Sequence, residues 1–515
     1  MVPPISRRRN GASVAVVLLL ALVAGCGNPA VGTQGATGGA AASTTVGASP
    51  NGGLPTLLPA PPIVWSPCGT GSAIQCGTVS VPVDYRHPHR ASIAVAVTRA
   101  TALDPSGPRG TLVFNPGGPG ESGNQILPVA LSLLPPAIRQ DFDIVTFDPR
   151  GTGASDPLRC GTPPSALTSA DPVPAAPGRP LPGSTAFTTM ARSCRAEAPD
   201  LEPFIDTTDT ARDMDRIRQS LGLATISFYG ISYGTVLGTV YAELFPHRVA
   251  TIVLDGAVDI NASLTQQAIE EAPVAEQSLA HLFAACAATP SCPLGPDPTA
   301  FFSGLAASLT RRPLPAPGGG DTEPVTVGDL DTATLYALGV PAFTSSYESA
   351  LVAADHGDGA PLRSIALESA IDIDGEPLVD PQWAITCNDA AVHPGPIAAG
   401  SLATALHARY PLIGAYAVIY NMGGCVSWPA GRQTVVDVHP TGAPPVLVIG
   451  NSGDPITPLV GARHLAAIFP VAALLTWDGW GHTWLLSGPD DACMSRAVTT
   501  YLTGGGLPRA GTVCH

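Results

Sequence analysis

One short stretch, residues 225–234, constrains the fold of this chain more than any other. An apolar run leads into the pentapeptide Gly230-Ile231-Ser232-Tyr233-Gly234, and a second apolar run follows it without a proline until Pro246. This pattern predicts a strand, a sharp turn and a helix. Such a turn holds the serine in a strained conformation and leaves its hydroxyl at a helix N-terminus, where developing negative charge is favoured. Ser232 is therefore the candidate nucleophile.

The same kind of apolar strand recurs along the chain, separated by stretches with helical spacing. Residues 206–221 have that spacing, with Thr208 or Asp209 as the cap, whereas the prolines of residues 161–182 argue against regular structure there. Strands that alternate with helices predict an α/β fold, with a mostly parallel sheet and helices on both faces. The candidate strands are residues 76–85, 91–98, 110–114, 143–147, 251–255, 446–449 and 472–477, of which the first two resemble a hairpin.

The alternation breaks off between residues 261 and 430 and then resumes. We interpret this segment as a mainly helical cap inserted into one core domain, whose two parts are residues 61–260 and 431–515. The cap holds 17 Asp and Glu against four Arg, a net charge of −13, and the whole chain of 515 residues has a net charge of −15. So acidic a chain is not expected to bind nucleic acid, which needs a basic surface.

The N-terminus has the pattern of an export signal. Three arginines precede an apolar run, residues 12–24, that is too short to span a bilayer comfortably. The sequence Val23-Ala24-Gly25-Cys26 resembles a bacterial lipobox, which implies cleavage before Cys26 and lipidation of its thiol. Residues 1–26 are then a lipoprotein signal peptide and residues 27–60 a flexible tether, so we expect the protein at the outer face of the cytoplasmic membrane. The alternative is an ordinary secretory signal with an incidental cysteine.

The cysteine count agrees with export. Eleven cysteines less Cys26 leave ten, an even number, as a disulfide framework requires. Spacing does not determine the pairing, and pairing between neighbours in the sequence is our working hypothesis. No CxxC pair or HExxH motif is present, so we expect neither a metal nor a cofactor. The expected pairs are Cys68–Cys76, Cys160–Cys194, Cys286–Cys292, Cys387–Cys425 and Cys493–Cys514.

A serine hydroxyl needs a general base, and the base needs an acid that fixes its tautomer. After a nucleophile of this kind the chain order is acid, then histidine. Asp454, in Gly453-Asp454-Pro455, follows the strand 446–449, and His482, in Gly481-His482-Thr483, follows the run 472–477. Both lie where the catalytic loops of a parallel sheet are found. Asp454 could also be a plain turn residue, and His482 is one of eleven histidines; their order and positions favour the catalytic interpretation.

Acyl transfer also needs donors for an oxyanion. The backbone N–H of Tyr233, directly after the nucleophile, is one candidate. The second should come from Gly117 or Gly118, in the loop Asn115-Pro116-Gly117-Gly118-Pro119-Gly120, whose missing side chains let N–H groups face a substrate. The alternative for this loop is a tight turn without a catalytic role.

These motifs together resemble the actinobacterial secreted tripeptidyl aminopeptidases, which are α/β-hydrolases of the proline iminopeptidase type. The resemblance covers nearly all of residues 62–514. It implies an envelope serine hydrolase with a lid, with Ser232 as nucleophile, Asp454 as acid, His482 as base and Thr457 close to the site. The chain departs from proline iminopeptidases at Pro116, where their loop has a histidine. The matching segments are residues 115–123, 147–155, 230–234, 454–458 and 481–483, with 76–79 and 507–514 at the ends.

An aminopeptidase must hold a protonated N-terminus, and carboxylates in the acidic cap would do so. The candidates are Glu270, Glu271 and Asp389, although most acids of the cap are expected to form a solvated face. The leading hypothesis is a lipid-anchored, monomeric serine exopeptidase that takes short peptides from free N-termini. Close relatives in the family also include carboxylesterases, so a carboxylesterase or lipase with the same triad is the second hypothesis, and an inactive binding lipoprotein is a remote third.

Overall fold

A ten-stranded sheet forms the centre of the described chain. The structure is a computed structural model that describes residues 59–69, 72–104, 106–315, 323–372, 374–432, 434–435 and 437–515. The predicted signal peptide, Cys26 and nearly all of the tether lie outside these residues. The strands are β1 (Ser66–Pro67), β2 (Ile74–Pro82), β3 (Ser92–Ala100), β4 (Gly110–Asn115), β5 (Phe142–Phe147), β6 (Ile226–Ile231), β7 (Val249–Asp255), β8 (Val446–Gly453), β9 (Ala472–Trp480) and β10 (Val513–Cys514).

The sheet is mostly parallel, as the sequence predicts. Its strand order is β1-β2-β3-β5-β4-β6-β7-β8-β9-β10. The pairs from β5 to β10 are parallel, whereas β1, β2 and β3 join antiparallel at one edge. The predicted hairpin is therefore confirmed as β2 and β3. Parallel neighbours bring the ends of β6, β7, β8 and β9 to one edge of the sheet, where the candidate catalytic residues follow.

Successive side chains of a strand point to opposite faces of the sheet, and helices pack on both faces. Leu112 and Phe114 of β4 belong to one hydrophobic cluster, with the helices at 123–133, 136–141 and 492–502. Val113 belongs to the other cluster, with the helices at 207–220, 234–244 and 459–468. The helices are α1 (Gly123–Leu133), α2 (Pro136–Asp141), α3 (Pro164–Thr168), α4 (Ser184–Glu197), α5 (Thr207–Ser220), α6 (Gly234–Leu244), α7 (Leu264–Ala287), α8 (Pro298–Arg311), α9 (Val327–Gly339), α10 (Thr344–Asp355), α11 (Ala360–Glu368), α12 (Val379–Asp389), α13 (Pro396–Arg409), α14 (Tyr416–Met422), α15 (Leu459–Ile468), α16 (Trp484–Ser487) and α17 (Ala492–Leu502).

Helices also fill the segment between β7 and β8. In its described part this segment contains α7 to α14, the 3₁₀ turns 341–343 and 423–427, and no strand longer than an isolated bridge. This content agrees with a mainly helical insertion, and the boundaries at residues 261 and 430 stay a prediction. Among the described helices, none is both long enough and apolar enough to cross a membrane.

Two local predictions are wrong. The proline-rich segment 161–182 contains the short helix α3, because Pro164 occupies a first-turn position where its missing N–H costs nothing. The cap of α5 is Asp206, two or three residues earlier than predicted, and its carboxylate accepts the N–H of Asp209 at 2.7 Å. Thr208 and Asp209 are already inside the first turn. Several residues that can cap a helix lie close together here, and the one that caps is the residue whose backbone is still extended where the helix begins.

The structure forms five disulfides with the pairing that we expected from neighbours in the sequence. Each closes a short loop, with between 6 and 38 residues separating the two cysteines. Cys387–Cys425 ties the end of α12 to the 3₁₀ turn after α14, both within the predicted cap. The pairs are Cys68–Cys76, Cys160–Cys194, Cys286–Cys292, Cys387–Cys425 and Cys493–Cys514.

A buried ion pair connects the antiparallel edge of the sheet to α5. The Arg150 side chain is fully buried and donates to both carboxylate oxygens of Asp213, at 2.8 and 2.6 Å. It also donates to the carbonyls of Pro82, Val83 and Phe204. The opposite charge of Asp213 outweighs burial and raises the pKa of Arg150 further above its ordinary range. Such a pair is costly to break, because the remaining charge stays buried without a partner.

We expect Arg150→Met to lower the free energy of unfolding by about 3–5 kcal/mol, since Asp213 would keep a buried negative charge. The matched control is Arg109→Met. The Arg109 side chain is 64% exposed, and its guanidinium pairs with Asp141. Its cost should stay below about 1 kcal/mol. Urea unfolding with the disulfides intact measures both. Equal midpoints for the two variants would show that the Arg150 pair does not stabilise the fold.

Candidate active site

Ser232 lies at the turn between β6 and α6, as predicted. It has a φ of 56°, one of four described non-glycine residues with positive φ. A Cβ on Gly230 would lie 2.3 Å from the carbonyl oxygen of Gly234, and a Cβ on Gly234 would lie 2.8 Å from that of Asn115. Both flanking glycines are therefore required for this turn. The N–H of Ser232 donates to the carbonyl of Asp255 at 2.8 Å, which fixes the strained residue to the end of β7.

Asp454 directly follows β8 and is completely buried. Its carboxylate accepts the N–H groups of Ile456 and Thr457 at 2.9 and 2.8 Å, and the Thr457 hydroxyl at 2.9 Å. Burial alone would raise the pKa of Asp454, but the neighbouring His482 and these hydrogen bonds outweigh it and hold the pKa below its usual range. Asp454 is therefore ionised at neutral pH, as a triad acid must be.

His482 follows β9 and lies beside this carboxylate. Its Nδ1 is 3.0 Å from each carboxylate oxygen of Asp454 and 3.2 Å from the hydroxyl of Thr457. An acceptor on that side requires the proton on Nδ1, which leaves Nε2 free to take a proton from a nucleophile. The backbone N–H of His482 donates to the carbonyl of Gly339, at the end of α9, so the predicted cap also holds this loop.

Asp255 connects the turn at Ser232 to the segment that carries His482, residues 481–485, which we call the histidine loop. The sequence analysis did not single out Asp255. It is fully buried at the end of β7. Its carbonyl accepts the N–H of Ser232, and its carboxylate accepts the N–H groups of Trp484 and Leu485 at 2.9 and 3.0 Å. Burial raises the pKa of Asp255 to about 6. The available signal was an Asp that ends an otherwise apolar strand, where a charge needs buried partners.

The glycine loop after β4 lies against the nucleophile. Gly117 and Gly118 have φ values of 97° and 101°, and a Cβ on Gly117 would approach the Cβ of Ser232 to 3.0 Å. The N–H of Gly117 donates to the Asn115 side chain at 3.1 Å. Within the described chain, the N–H groups of Gly118 and Tyr233 have no acceptor. Gly118 and Tyr233 are therefore better candidates for oxyanion donors than Gly117.

A cavity of about 580 Å³ opens at Ser232. Five carboxyl side chains line it and no arginine or histidine appears in its described lining, so its electrostatic character is acidic. All four predicted substrate-binding residues lie there, namely Thr457, Glu270, Glu271 and Asp389. The other two acids are Asp259 and Asp437.

Two of these acids are held in protein surroundings that favour the neutral form. Glu271 is 2% exposed; one oxygen accepts the Asn421 amide at 2.7 Å and the other has no partner in the described chain. Burial raises the pKa of Glu271 well above its ordinary value. Asp389 accepts the N–H and the hydroxyl of Thr207, at 2.9 and 2.5 Å, and burial raises its pKa to about 7. The Thr207 hydroxyl also lies 2.5 Å from the phenol oxygen of Tyr233.

Residues 110–489 match the family model described as the alpha/beta hydrolase fold. Three relatives cover nearly the whole chain. The chain is 30% identical to the serine protease Hip1 of Mycobacterium tuberculosis over 485 residues, 88% of this chain and 91% of the relative. It is 30% identical to the tripeptidyl aminopeptidase of Streptomyces coelicolor, over 88% of this chain and 86% of that protein. It is 32% identical to the carboxylesterase B of Mycobacterium tuberculosis, over 92% and 94%.

We expect Asp255→Asn to lower kcat for a short acyl ester by about 100-fold with little change in KM. An asparagine turns an NH₂ group toward one of the two N–H groups that the carboxylate now accepts, so the histidine loop must shift. Asp255 does not line the cavity, so substrate binding should be spared. The matched control is Asp478→Asn, at an exposed carboxylate of β9. A parallel rise in KM, or an unchanged kcat, would contradict this positioning role.

Proposed function

This chain belongs to the α/β-hydrolase family, and on that premise we propose that it is a serine aminopeptidase that removes short peptides from free N-termini. It is a serine hydrolase by family, and the serine protease and tripeptidyl aminopeptidase relatives support peptidase activity. The observation that carries the finer proposal is the acidic cavity that opens at Ser232.

The proposed reaction uses three side chains that follow the ends of β6, β8 and β9, on one edge of the sheet. Nε2 of His482 takes the proton from Ser232 as its Oγ attacks the carbonyl carbon, while ionised Asp454 stabilises the resulting imidazolium. The N–H groups of Tyr233 and Gly118 stabilise the oxyanion, and one such donor is worth about 3–4 kcal/mol. His482 then gives its proton to the leaving amine. In the second half of the reaction His482 takes a proton from the attacking water and returns it to Oγ of Ser232 as the acyl group leaves.

The charge of the cavity favours a substrate that carries an ammonium group. An ammonium close to Glu271 and Asp389 would offset the burial cost that now holds their pKa values high, because an opposite charge favours the ionised form. Glu271 has an unpartnered oxygen for such a donor. Glu270, one residue earlier on α7, adds a third carboxyl to the cavity. Charge-assisted hydrogen bonds of this kind are among the stronger polar contacts.

The size of the cavity favours a short peptide. Its volume of about 580 Å³ lies in the range of sites that enclose small ligands, and helices of the predicted cap contribute many of its lining residues. A folded polypeptide could not enter such a site, whereas the first residues of an extended chain could. This restriction agrees with an exopeptidase that releases short fragments.

A carboxylesterase is the second candidate, and the carboxylesterase relative is the observation that favours it. The proposed triad would act on an ester by the same steps. The two candidates differ in what the cavity carboxyls do: a peptidase needs them for the amine, and an esterase does not. An inactive binding protein would need neither and is the remote third candidate.

We also propose that the protein is exported, lipidated at Cys26 and monomeric. Five disulfides favour an oxidising compartment outside the cytoplasm. Several acyl chains on Cys26 would hold the protein at the membrane, where a single chain would not suffice.

Ser232→Ala should abolish turnover, since loss of a triad member can lower kcat by about 10⁶-fold. The measurement is release of the leaving group from a tripeptide amide with a free N-terminus, with the N-acetylated amide and a short acyl ester alongside. Fast cleavage of the free amine alone supports the aminopeptidase. Ester turnover with neither amide cleaved identifies an esterase, and full activity in the variant would refute the assignment of Ser232.

The affinity for free-amine substrates should rise with pH through about 7, where Asp389 becomes ionised, up to the deprotonation of the substrate amine near about 8. Below its raised pKa Asp389 is neutral and cannot pair with an ammonium. KM for the ester should lack this dependence, because an ester carries no ammonium group. Asp389→Asn should raise KM for the tripeptide amide and remove the pH dependence, while kcat for the ester stays unchanged.

A further inference from the structure

We propose a site for a divalent transition-metal ion, of which Zn²⁺ is the type, at the rim of the acidic cavity. Its ligands are Asp259, Glu270 and His464, whose nearest ligand atoms all lie within 4.8 Å of one another. They come from three elements, namely the loop after β7, α7 and α15. The proposal stands on this geometry and does not depend on the proposed function.

The three side chains are already oriented toward one another. Nδ1 of His464 is 2.7 Å from Oδ2 of Asp259, whose other oxygen accepts the N–H of Asn261 at 3.1 Å. Glu270 is held through its Oε1, which accepts the Gln266 amide at 2.6 Å. Each carboxylate keeps further lone pairs. Ligands of a bound ion must lie a little over 3 Å apart at about 2.0–2.2 Å from zinc, which small rotations of these side chains would achieve, since none of the three is fully buried.

The electrostatics of this cluster favour a dication over a simple ion pair. His464 is 51% exposed, so solvent screens its pair with Asp259 and the pair alone is weak. Glu270 places a second carboxylate beside the same pair, and two such carboxylates repel unless a positive charge lies between them. An ion with two charges neutralises both.

The ligand set selects the kind of ion. One imidazole nitrogen with two carboxylate oxygens suits zinc and its first-row neighbours, whereas calcium and magnesium prefer oxygen ligands alone. Two other described clusters have comparable spacing, around Cys160 and Cys194 and around Cys493 and Cys514. Their sulfur atoms are used in disulfides and are not available as thiolates. The cluster at the cavity rim is therefore the one of these three in which no ligand atom is used in a covalent bond.

An ion bound at this site would change the charge of the cavity, because Asp259 and Glu270 both line it. A bound ion would also join α7 of the predicted cap to α15 of the core. The ion would engage Glu270, one of the three carboxyls proposed to hold the ammonium, and its positive charge would repel the ammonium. Zinc should therefore inhibit in competition with free-amine substrates, a consequence that rests on the proposed function.

The binding test is isothermal titration of the purified full-length protein with Zn²⁺ alone. We expect one ion per chain in the wild type, and a loss of affinity of about 10–100-fold or more in His464→Gln, which removes a ligand from an exposed helix position. Asp259→Asn should weaken binding as well. The matched control is His356→Gln, an exposed histidine outside the cluster that should leave binding unchanged. Equal affinity in all four proteins, absence of binding, or equally tight binding of Ca²⁺ would overturn the site.

The second test measures kinetics with and without Zn²⁺, followed by EDTA. We expect a reversible rise in KM for the free-amine tripeptide amide, no effect on the acyl ester, and loss of the inhibition in His464→Gln. Inhibition of both substrates that persists in His464→Gln would place the inhibitory ion elsewhere and overturn the competition. If the protein hydrolyses esters alone, the proposed aminopeptidase activity fails, and calorimetry still decides the metal site.

Discussion

The site depends first on the connection that Asp255 makes between two strained loops. Ser232 and Thr483 both have positive φ, a conformation that non-glycine residues adopt only where the surroundings hold them. Asp255 contacts the first through its carbonyl and the residues after the second through its carboxylate. The end of β7 thus holds the proposed nucleophile and the loop of the proposed base in fixed positions, although β7 contributes no member of the proposed triad. Burial of this carboxylate without a cation is tolerated because three donors converge on it, the phenol of Tyr229 being the third.

Burial alone would raise the pKa of three carboxyl groups around Ser232, those of Asp454, Glu271 and Asp389, yet their pKa values are shifted in opposite directions. Asp454 is as deeply buried as Glu271, yet its pKa is lowered, because His482 and four hydrogen-bond donors outweigh the loss of water. Glu271 has one amide donor, and its pKa is raised. The same residue type is therefore prepared for two tasks, a permanent charge beside the base and a charge that a bound cation would induce. The neighbouring His482 and the number of hydrogen-bond donors, and not the depth of burial, separate the two.

The predicted cap is connected to the catalytic loops by direct contacts. The carbonyl of Gly339 accepts the N–H of His482, and the ring of His281 on α7 stacks on Trp480 with 3.9 Å between centroids. Asp389 reaches the phenol of Tyr233 through Thr207. Movement of these helices would therefore reach both the base and the residue after the nucleophile. The cavity, the predicted cap and the proposed catalytic residues are connected by direct contacts for this reason.

The sequence by itself predicted the α/β class, the nucleophile turn and the positions of Asp454 and His482 at strand ends, whereas the disulfide pairs were a working hypothesis with which the structure agrees. The first three follow from local patterns and from the fixed chain order of such sites, so they needed no packing information. Only the tertiary structure decided the order of the strands in the sheet and that Asp255 joins the two loops. It also brought Glu271 and Asp389 to one cavity from helices more than a hundred residues apart in the chain. The physical reason is that hydrogen-bond partners and burial depend on which surfaces meet, and no local pattern in a chain records that.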